Sequence, residues 1–469
     1  MKNRTDKTEP PLYVALYQDL KEKILNKAYP PSGRLPSIRA QAAALGVSLN
    51  TVKAAYAQLE LEGYVTSVEK VGYFVEEIEP LSLQKAAPAD GGAARDPDTK
   101  YRYDFSYSGA DAALFPSSVW KKMFRLALEE GSDLLSQGDF KGYPALRNAI
   151  ARYLYSSRGI QTVPSQIIIS AGTEHLFAIV KRLLDPNTLF AFENPGYAFA
   201  SPYFTYDLKN PVALSLDAHG VVIDPIRNLS SVALLVTPAH QFPTGVVMSI
   251  SRISELLNWA GLKEERYIIE DDYDGEFRFR EKASPSMKSM DTHDRVIYMG
   301  SFSRLITPAL RVSYMVLPKK LMELFERSFK GFSCPVSLFV QKALSCFMSC
   351  GHFEKHLNRS RTLYARKYLA MKRAIEASKN IALESTSSGM VLRCRFPEGS
   401  PDAVQERLRE ASIRLYSLSD FYLEKSGDPN HYLLGFSRIP EEQIASGISL
   451  LDALLEHTKE QGNSGGAEK

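Results

Sequence analysis

The sequence predicts a two-part α/β protein: a small helix-turn-helix unit with a two-stranded wing, then a large body on a mainly parallel sheet with a small C-terminal α+β subdomain. Two short helices around the tight turn Gly46-Val47-Ser48 predict the first unit. In the body, short β-branched runs alternate with helical segments, which is typical of a parallel sheet. With 469 residues and 44% hydrophobic content, the chain can form two or three globular units.

The composition excludes several classes of protein. Four cysteines without a Cys-x-x-Cys pair are too few for a disulfide scaffold, and Cys346 and Cys350 lack a nearby histidine, so we expect no metal site. No apolar run is long enough to span a bilayer, and the N-terminus has no apolar signal region. We therefore expect a cytoplasmic protein without a membrane partner. The net charge of +3 neither requires nor excludes nucleic acid.

Residues 1–76 have the pattern of a DNA-binding domain. Apolar residues at helical spacing predict a first helix over 12–27, which ends before a Pro-Gly segment. Serine N-caps predict a second helix over 37–46 and a third over 48–63. The segment 64–75 alternates apolar and polar residues around a polar turn, and this pattern predicts the wing.

This unit resembles the GntR-type winged helix-turn-helix in three motifs: Gly33-Arg34-Leu35-Pro36-Ser37-Ile38-Arg39, Asn50-Thr51-Val52 and Leu59-Glu60-x-Glu62-Gly63-Tyr64. The resemblance implies binding to a double-stranded DNA operator, with the start of the third helix in the major groove. Leu49 stands where such proteins commonly have an arginine, so it can pack on a thymine methyl but cannot bond guanine. A small helical protein-interaction domain is the alternative. The residues expected to contact DNA are Arg39, Ser48, Leu49, Asn50, Thr51 and Lys53.

A change of composition separates the two units. Residues 77–102 are rich in Ala, Pro and Gly and have no hydrophobic period, which predicts a flexible linker; a loop packed on the body is the alternative. The body is expected over 103–460. Residues 461–469 are predicted to form a disordered tail.

Strand-like runs of the body end in polar residues, where a parallel sheet exposes its binding edge. Tyr267-Ile-Ile269 leads into an acidic segment, Glu270-Asp-Asp-Tyr-Asp-Gly-Glu276, and Val296-Ile-Tyr298 leads into the loop Ser301-Phe-Ser-Arg304. The turn Ser170-Ala-Gly-Thr173 joins a strand to a helix, so its free N–H groups and the helix dipole can hold a phosphate. These places predict a ligand site at the edge of the sheet.

The body resembles the fold-type I aminotransferases, in the form found in the MocR/GabR subfamily of transcriptional regulators. Its motifs follow in the expected order: Phe115-Pro-Ser-Ser-Val-Trp120, Gly142-Tyr-Pro-Ala-Leu-Arg147, Ser170-Ala-Gly-Thr-Glu174, Glu193-Asn-Pro-Gly-Tyr197, Thr237-Pro-Ala-His-Gln-Phe-Pro-Thr-Gly245, and the two strand ends above. The resemblance implies pyridoxal phosphate as cofactor, a small-molecule effector, and a homodimer with its sites at the dimer interface. The residues expected to bind the cofactor are Gly172, Thr173, Tyr197, Asp271, Tyr273, Ser301, Ser303, Arg304 and Arg311.

Each of these residues has an expected role. Asp271 would pair with a protonated pyridine nitrogen, Tyr273 would bond the 3-oxygen of the ring, and Tyr197 would lie against the ring. Arg311 and the hydroxyls of Ser301 and Ser303 would complete the phosphate site. For Asp271 and Tyr273, the alternative is a satisfied buried pair at the sheet edge.

Arg304 departs from the family pattern. In the family this position is a lysine, which holds pyridoxal phosphate as a Schiff base. A guanidinium stays protonated, so it can neither capture an aldehyde nor carry the proton of a substrate. We therefore expect no transamination and assign no catalytic residue. Three alternatives are open: non-covalent pyridoxal or pyridoxamine phosphate, another anionic ligand bound by Arg304, or a structural body without a ligand.

Other departures also separate the chain from ordinary aminotransferases. The asparagine of the family's Asn-Pro-Thr-Gly is Phe242 here, and His240 or Gln241 could substitute for it. Phe199 and Asp420 match the two arginines of regulators that sense γ-aminobutyrate, so we expect a different effector. The sequence thus favours a DNA-binding transcription regulator that senses a small ligand, possible ligands being pyridoxal phosphate or an amino-acid-related metabolite. The alternatives are a pyridoxal-phosphate-dependent aminotransferase with a DNA-binding appendage and a structural DNA-bound dimer without an effector.

Overall fold

The chain, seen in a computed structural model, divides into two compact units, residues 1–99 and 100–469. Residues 78–100, which make up most of the predicted linker, lie outside the part of the chain that the structure describes. The described residues are 11–77, 101–129, 134, 136–277, 279, 285–384, 389–397, 401–424 and 430–464.

Three helices and a hairpin form the first unit, which confirms the predicted winged helix-turn-helix. Its elements are α1 (Leu12–Leu25), α2 (Ile38–Leu45), α3 (Leu49–Leu61), β1 (Val65–Val68) and β2 (Gly72–Val75), and the two strands pair antiparallel.

Local chemistry determines the turn between α2 and α3. The Ser37 hydroxyl accepts a hydrogen bond from the Ala40 amide at the start of α2. Gly46 ends α2 with φ of 65°, a left-handed conformation that favours glycine. Ser48 then caps α3 by accepting from the Thr51 amide at 3.1 Å. The turn is therefore defined at both ends by residues that the sequence makes recognisable.

The second unit contains strands β3 to β17 and helices α4 to α16. The strands are β3 (Tyr103–Asp104), β4 (Ile167–Ser170), β5 (Leu189–Glu193), β6 (Val212–Leu214), β7 (Leu216–Asp217), β8 (Gly220–Val221), β9 (Val232–Val236), β10 (Arg266–Asp272), β11 (Val296–Ser301), β12 (Ser313–Val316), β13 (Ala382–Leu383), β14 (Val391–Arg395), β15 (Ile413–Arg414), β16 (Tyr416–Ser417) and β17 (His431–Gly435). The helices are α4 (Ser117–Glu129), α5 (Pro144–Arg158), α6 (Thr173–Leu183), α7 (Tyr197–Ala200), α8 (Pro202–Thr205), α9 (Ile250–Gly261), α10 (Met287–Met290), α11 (Phe302–Leu305), α12 (Lys319–Ser328), α13 (Leu338–Ser349), α14 (His352–Glu376), α15 (Pro401–Glu410) and α16 (Ile444–Ser464).

A seven-stranded sheet with the order β4-β12-β11-β10-β9-β5-β6 organises this unit. Neighbouring strands are parallel except at β12, which is antiparallel to both of its neighbours. The predicted mainly parallel sheet is therefore confirmed. A second sheet, antiparallel and with the order β13-β14-β17-β16, forms the predicted C-terminal subdomain.

Side chains of the central sheet alternate between its two faces and pack in three apolar clusters, because successive residues of a strand face opposite sides. In β4, Ile167 and Ile169 pack in one cluster and Ile168 packs in another. In β12, Tyr314 and Met315 are divided in the same way. Helices therefore cover both faces, as a parallel sheet requires.

Helices α13 and α14 follow each other closely and are separated at Gly351, where φ is 71°. One segment differs from the prediction: helix α16 continues to Ser464, four residues into the predicted tail, and 465–469 lie outside the described residues. None of the helices in the described part of the chain combines the length and apolar content needed to cross a membrane.

Candidate functional site

The first unit exposes most of the residues that were expected to contact DNA. Leu49 is 51% exposed at the start of α3, and four further residues of the set are exposed: Arg39, Ser48, Asn50 and Lys53. The hydroxyls of Ser48 and Thr51 lie 2.8 Å apart and serve as part of the helix cap. The arrangement leaves Leu49 and Asn50 as the accessible side chains of the first turn of α3.

Acidic residues at the end of β10 divide between the two faces of the strand. Asp272 is buried, pairs with Arg158 at 2.5 Å, and accepts a hydrogen bond from the Tyr298 hydroxyl at 2.9 Å. Glu270 faces the same side and accepts hydrogen bonds from residues 286–288 at 2.8 to 3.0 Å. Burial raises the pKa of Glu270 to about 7. Both carboxyl groups therefore have protein partners that hold the sheet edge together.

Asp271 faces the opposite side of β10 and is only 4% exposed. Its Oδ1 atom has no hydrogen-bond partner among the described residues. Burial raises the pKa of Asp271 to about 7, and a hydrogen bond with Tyr197 acts in the opposite direction. The structure thus brings Asp271 and Tyr197 together, as the expected ring site requires, and leaves one carboxylate oxygen available.

Arg304 lies beside Tyr273, with its guanidinium carbon 5.5 Å from the centre of the tyrosine ring. The Tyr273 hydroxyl donates a hydrogen bond to the backbone oxygen of His240 at 3.0 Å, so its proton is not free for a ligand. Within the described chain, Nη1 of Arg304 and Oγ of Ser303 are buried and have no hydrogen-bond partner. A donor and a hydroxyl are therefore available where the family has its lysine loop.

The turn before α6 holds an ion pair that the sequence did not predict. Gly172 has φ of 102°, and a Cβ atom there would lie 2.3 Å from Nη2 of Arg311, so glycine lets the guanidinium lie over the turn. Nη2 of Arg311 donates to Oε2 of Glu174 at 2.9 Å and to the Ala171 oxygen at 3.4 Å. Arg311 and Thr173 thus lie at the expected phosphate turn, but a carboxylate already accompanies the arginine.

Ser301 uses its oxygen within the loop. It accepts hydrogen bonds from the Ser303 amide at 3.2 Å and from the Ser313 hydroxyl at 3.0 Å. Ser301 is 9% exposed. Its first role is therefore to cap the short helix α11, and the hydroxyl of Ser303 is the better placed of the two for a ligand.

Neither candidate substitute for the family's asparagine is free. The Gln241 amide donates to the backbone oxygens of Pro195 at 2.9 Å and Phe242 at 2.8 Å. Nδ1 of His240 lies 2.8 Å from Oδ1 of Asp274. Both side chains therefore hold their own loop, and the substitution of either one for the asparagine stays a prediction.

An aromatic cluster surrounds Tyr197 and Tyr273. The rings of Phe242 and Phe421 are 5.0 Å apart, and Phe242 lies 6.2 Å from Tyr273. Phe199 packs on Phe192 at 5.8 Å. This side of the site is apolar and largely aromatic, which suits the faces of a flat ring. The members of the cluster are Tyr107, Tyr197, Phe242, Tyr273, Val391, Tyr416, Leu418, Phe421, Tyr422 and Leu433.

Comparisons with known proteins agree with both units. The model of bacterial regulatory proteins of the gntR family matches residues 12–75, and the model of aminotransferase class I and II matches residues 106–431. The chain is 36% identical to the HTH-type transcriptional regulator YhdI of Bacillus subtilis (strain 168), over 95% of this chain and 96% of that protein. It is 31% identical to the probable rhizopine catabolism regulatory protein MocR of Rhizobium meliloti, over 94% and 93%. The chain belongs to the MocR-like family of GntR-type transcriptional regulators.

The body is similar in fold to a solved aminotransferase structure. The multiple substrate aminotransferase of Thermococcus profundus aligns with a TM-score of 0.68 and 24% identity, over 78% of this chain and 93% of that chain. At this identity the likeness concerns the fold alone. The MocR-like regulator therefore combines a DNA-binding head with an aminotransferase-like effector domain.

Sequence reasoning missed two features of the site in this MocR-like regulator. Glu174 belongs to the Ser170-Ala-Gly-Thr-Glu174 motif, and an acidic residue in the first turn of a helix beside a phosphate turn was the available signal. Tyr107, whose charge environment includes Arg304, comes from a segment far away in the sequence, so no local pattern could have identified it.

Proposed function

We propose that this MocR-like regulator binds an operator through the first turn of α3 and senses a planar, ring-bearing anionic ligand, held without a covalent bond at the edge of the central sheet. Pyridoxal phosphate is the first candidate. The main support for this proposal is that two buried atoms at the site, Oδ1 of Asp271 and Nη1 of Arg304, have no hydrogen-bond partner among the described residues. A buried polar atom without a partner carries a desolvation penalty of about 1–3 kcal/mol, which a ligand would relieve.

The residues fit pyridoxal phosphate at its ring end and less well at its phosphate end. The available oxygen of Asp271 suits a protonated ring nitrogen, and the Tyr197 ring lies beside it. At the other end, the positive φ of Gly172 keeps the turn open, but the Arg311 guanidinium is shared with Glu174. We therefore expect the protein to hold the ring of pyridoxal phosphate well and its phosphate group only weakly.

Pyridoxal phosphate, when bound, would supply a pyridine nitrogen, a ring hydroxyl, an aldehyde and a phosphate. In this chain, Asp271 would hold the ring nitrogen, and Tyr197 with the aromatic cluster would exclude water from the ring faces. Arg304 would donate hydrogen bonds to an oxygen of the ligand, because its guanidinium remains charged. The guanidinium of Arg304 can neither capture an aldehyde nor accept a proton, which supports a sensing role without turnover.

Signalling to DNA requires that the ligand distinguish two states of the protein. A ligand with equal affinity for both states would shift nothing. We infer a homodimer whose two heads bind paired half-sites, because linking two weak DNA contacts raises the effective concentration of the second. The ligand would then alter operator affinity by favouring one arrangement of the dimer.

The test is an absorption titration of the full chain with pyridoxal phosphate, followed by dialysis, for the natural protein and for Arg304→Lys. We expect a new absorption band from covalent capture only in Arg304→Lys, and reversible retention in the natural protein. Asp271→Asn serves as a matched variant that should reduce retention in both backgrounds. If neither protein retains any ring ligand, the proposed sensing site is wrong.

A second measurement connects the ligand to DNA. Operator fragments selected from random DNA by the natural protein would be titrated with and without ligand, and the affinity should change in one direction at saturating ligand. An operator affinity that is the same with every ring ligand retained by the protein would contradict the regulatory part of the proposal. Turnover of an amino donor by the purified protein would contradict the absence of enzymatic activity.

A further inference from the structure

The site contains buried polar atoms of different character that have no hydrogen-bond partner in the described part of the chain. They include a carboxylate oxygen of Asp271, the hydroxyl of Ser303 and the Nη1 donor of Arg304. Asp271 and Arg304 act in opposite directions on the pKa of Tyr273, which burial raises above its ordinary value. Both charges therefore lie near the same tyrosine, and a ligand beside it would meet an acceptor and a donor.

We propose that the ligand is a planar nitrogen heteroaromatic acid, whose carboxylate pairs with Arg304 and whose ring nitrogen pairs with Asp271. This inference rests on the proposed sensing site and specifies its ligand. The guanidinium presents parallel N–H donors that match both oxygens of a carboxylate, whereas an aldehyde offers a single neutral oxygen. A lysine at position 304 would be complementary to an aldehyde, whereas the arginine of this chain is complementary to a carboxylate.

The neighbouring protein carboxylates do not replace such a ligand. Asp274 is engaged with His240 at 2.8 Å. Glu193 accepts from the Thr237 hydroxyl at 2.7 Å through Oε2, and its Oε1 atom has no hydrogen-bond partner among the described residues. No ion pair to Arg304 is found within the described residues. The tyrosine ring under Arg304 supports the guanidinium from one side but supplies no acceptor for Nη1. An external carboxylate is the acceptor that this environment lacks.

The aromatic cluster restricts the rest of the ligand. Tyr197 and Tyr273 border the site, and Phe242, Phe421 and Leu433 pack behind them. This apolar surround favours a flat ring over a flexible polar side chain. At the phosphate end, Glu174 shares the guanidinium of Arg311, so a second anionic group on the ligand gains less there. The negative charge that contributes most to ligand binding is therefore the carboxylate beside Arg304.

The probe is 4-pyridoxate, which has a carboxylate where pyridoxal has its aldehyde and pyridoxine its alcohol. Calorimetric titration of the full chain should give at least about ten-fold tighter binding of 4-pyridoxate than of pyridoxal or pyridoxine, which is the scale of one charge-assisted hydrogen bond. Arg304→Gln should abolish this preference by lowering the affinity for 4-pyridoxate to about that for pyridoxine. Arg311→Gln is the matched control, and it should keep the preference because it removes an arginine at the other end of the site.

Arg304→Lys provides a second variant in case Arg304→Gln does not fold. It should lose most of the preference, because an ammonium cannot match both oxygens at once. Equal affinity of the natural protein for the three ring ligands would overturn the inference. Retention of pyridoxal phosphate together with that result would leave the proposed function standing and reject only the acid. Arg304-dependent binding of phenylalanine, with none of 4-pyridoxate, would also overturn the inference, because the carboxylate would then belong to an amino acid.

Discussion

The carboxylate of Glu174 lies 2.9 Å from the guanidinium of Arg311, directly over the glycine turn that begins α6. Both side chains are about half exposed, so water and salt weaken the attraction between them. A phosphate at this turn would have to share Arg311 with a like charge. The ion pair therefore lowers the gain from binding a phosphate without closing the turn.

Glu174→Gln should raise the affinity for pyridoxal phosphate about three- to ten-fold, because it removes one negative charge beside the phosphate. Affinity for pyridoxal, which has no phosphate, should not change. Calorimetric titration at low and high salt would measure both, and the gain should shrink at high salt. Glu264→Gln is the matched control, since Glu264 pairs with Lys320 at 2.8 Å on the surface. A parallel change for both ligands would show that the effect is not electrostatic repulsion of the phosphate.

Asp271→Asn should stabilise the ligand-free body at alkaline pH. Burial raises the pKa of Asp271 from 3.8 to about 7, so its contribution to stability is full below about pH 4 and is lost as the pH rises through 7. The amide cannot ionise, so the free energy of unfolding at pH 8 should rise by about 2 kcal/mol, with a smaller rise at pH 5 and little change below about pH 4. Tryptophan fluorescence suits the measurement, since Trp120 and Trp259 both belong to the body.

The neighbouring carboxyl group provides the control for this experiment. Asp272 has an arginine partner, so Asp272→Asn should destabilise the body at both pH values. If Asp271→Asn instead lowered stability at pH 8, the carboxyl group would have a favourable partner in the ligand-free protein. The proposal that its oxygen is available to a ligand would then be wrong.

Arg158→Met should lower the free energy of unfolding of the body by about 3–5 kcal/mol, because it leaves Asp272 buried without its cation. Adding Asp272→Asn to this variant should restore much of the loss, and chemical denaturation of the four proteins gives the coupling energy. Additive losses would mean that the 2.5 Å contact contributes little beyond packing.

Asn50→Ala should weaken binding to a selected operator about 10- to 100-fold, the scale of one base contact, without changing the melting temperature of the head. Asn50 is exposed in the first turn of α3. Gln58→Ala is the matched control, because Gln58 lies near the other end of α3 and bonds Glu62 at 2.8 Å. Fluorescence anisotropy on specific and random DNA would distinguish a contact with a base from a contact with the phosphate backbone. An equal loss on both DNAs would assign Asn50 to the phosphate backbone rather than to a base.

Much of the fold could be predicted, because its elements carry local signals. Ser37, Gly46 and Ser48 mark the ends of two helices by their own hydrogen bonding and backbone freedom. Strand β10 is recognisable from its β-branched run, and a mainly parallel sheet follows from the alternation of strands with helices. The order of the strands was not predicted, because no local pattern specifies which strands pair.

The site was predicted less completely, for reasons of distance. Arg304 could be placed at the site from its motif, and the loss of Schiff-base formation could be predicted from the chemistry of a guanidinium. The pairing of Glu174 with Arg311, 137 residues apart, depends on two side chains whose meeting is decided by the sheet order. The pairing of Asp274 with His240 likewise depends on the fold, and it engages one of the two side chains expected to substitute for the asparagine.

The alternating carboxylates of β10 limit which mutations the site can survive. Changing one of these residues alters one face of the strand, because Glu270 and Asp272 point away from Asp271. Losing one residue from the strand would exchange the faces, moving an ion-paired carboxyl group to the ligand and a titrating one beside Arg158. Ligand preference in relatives can therefore diverge by single substitutions here, whereas insertions and deletions in β10 should be absent from functional descendants.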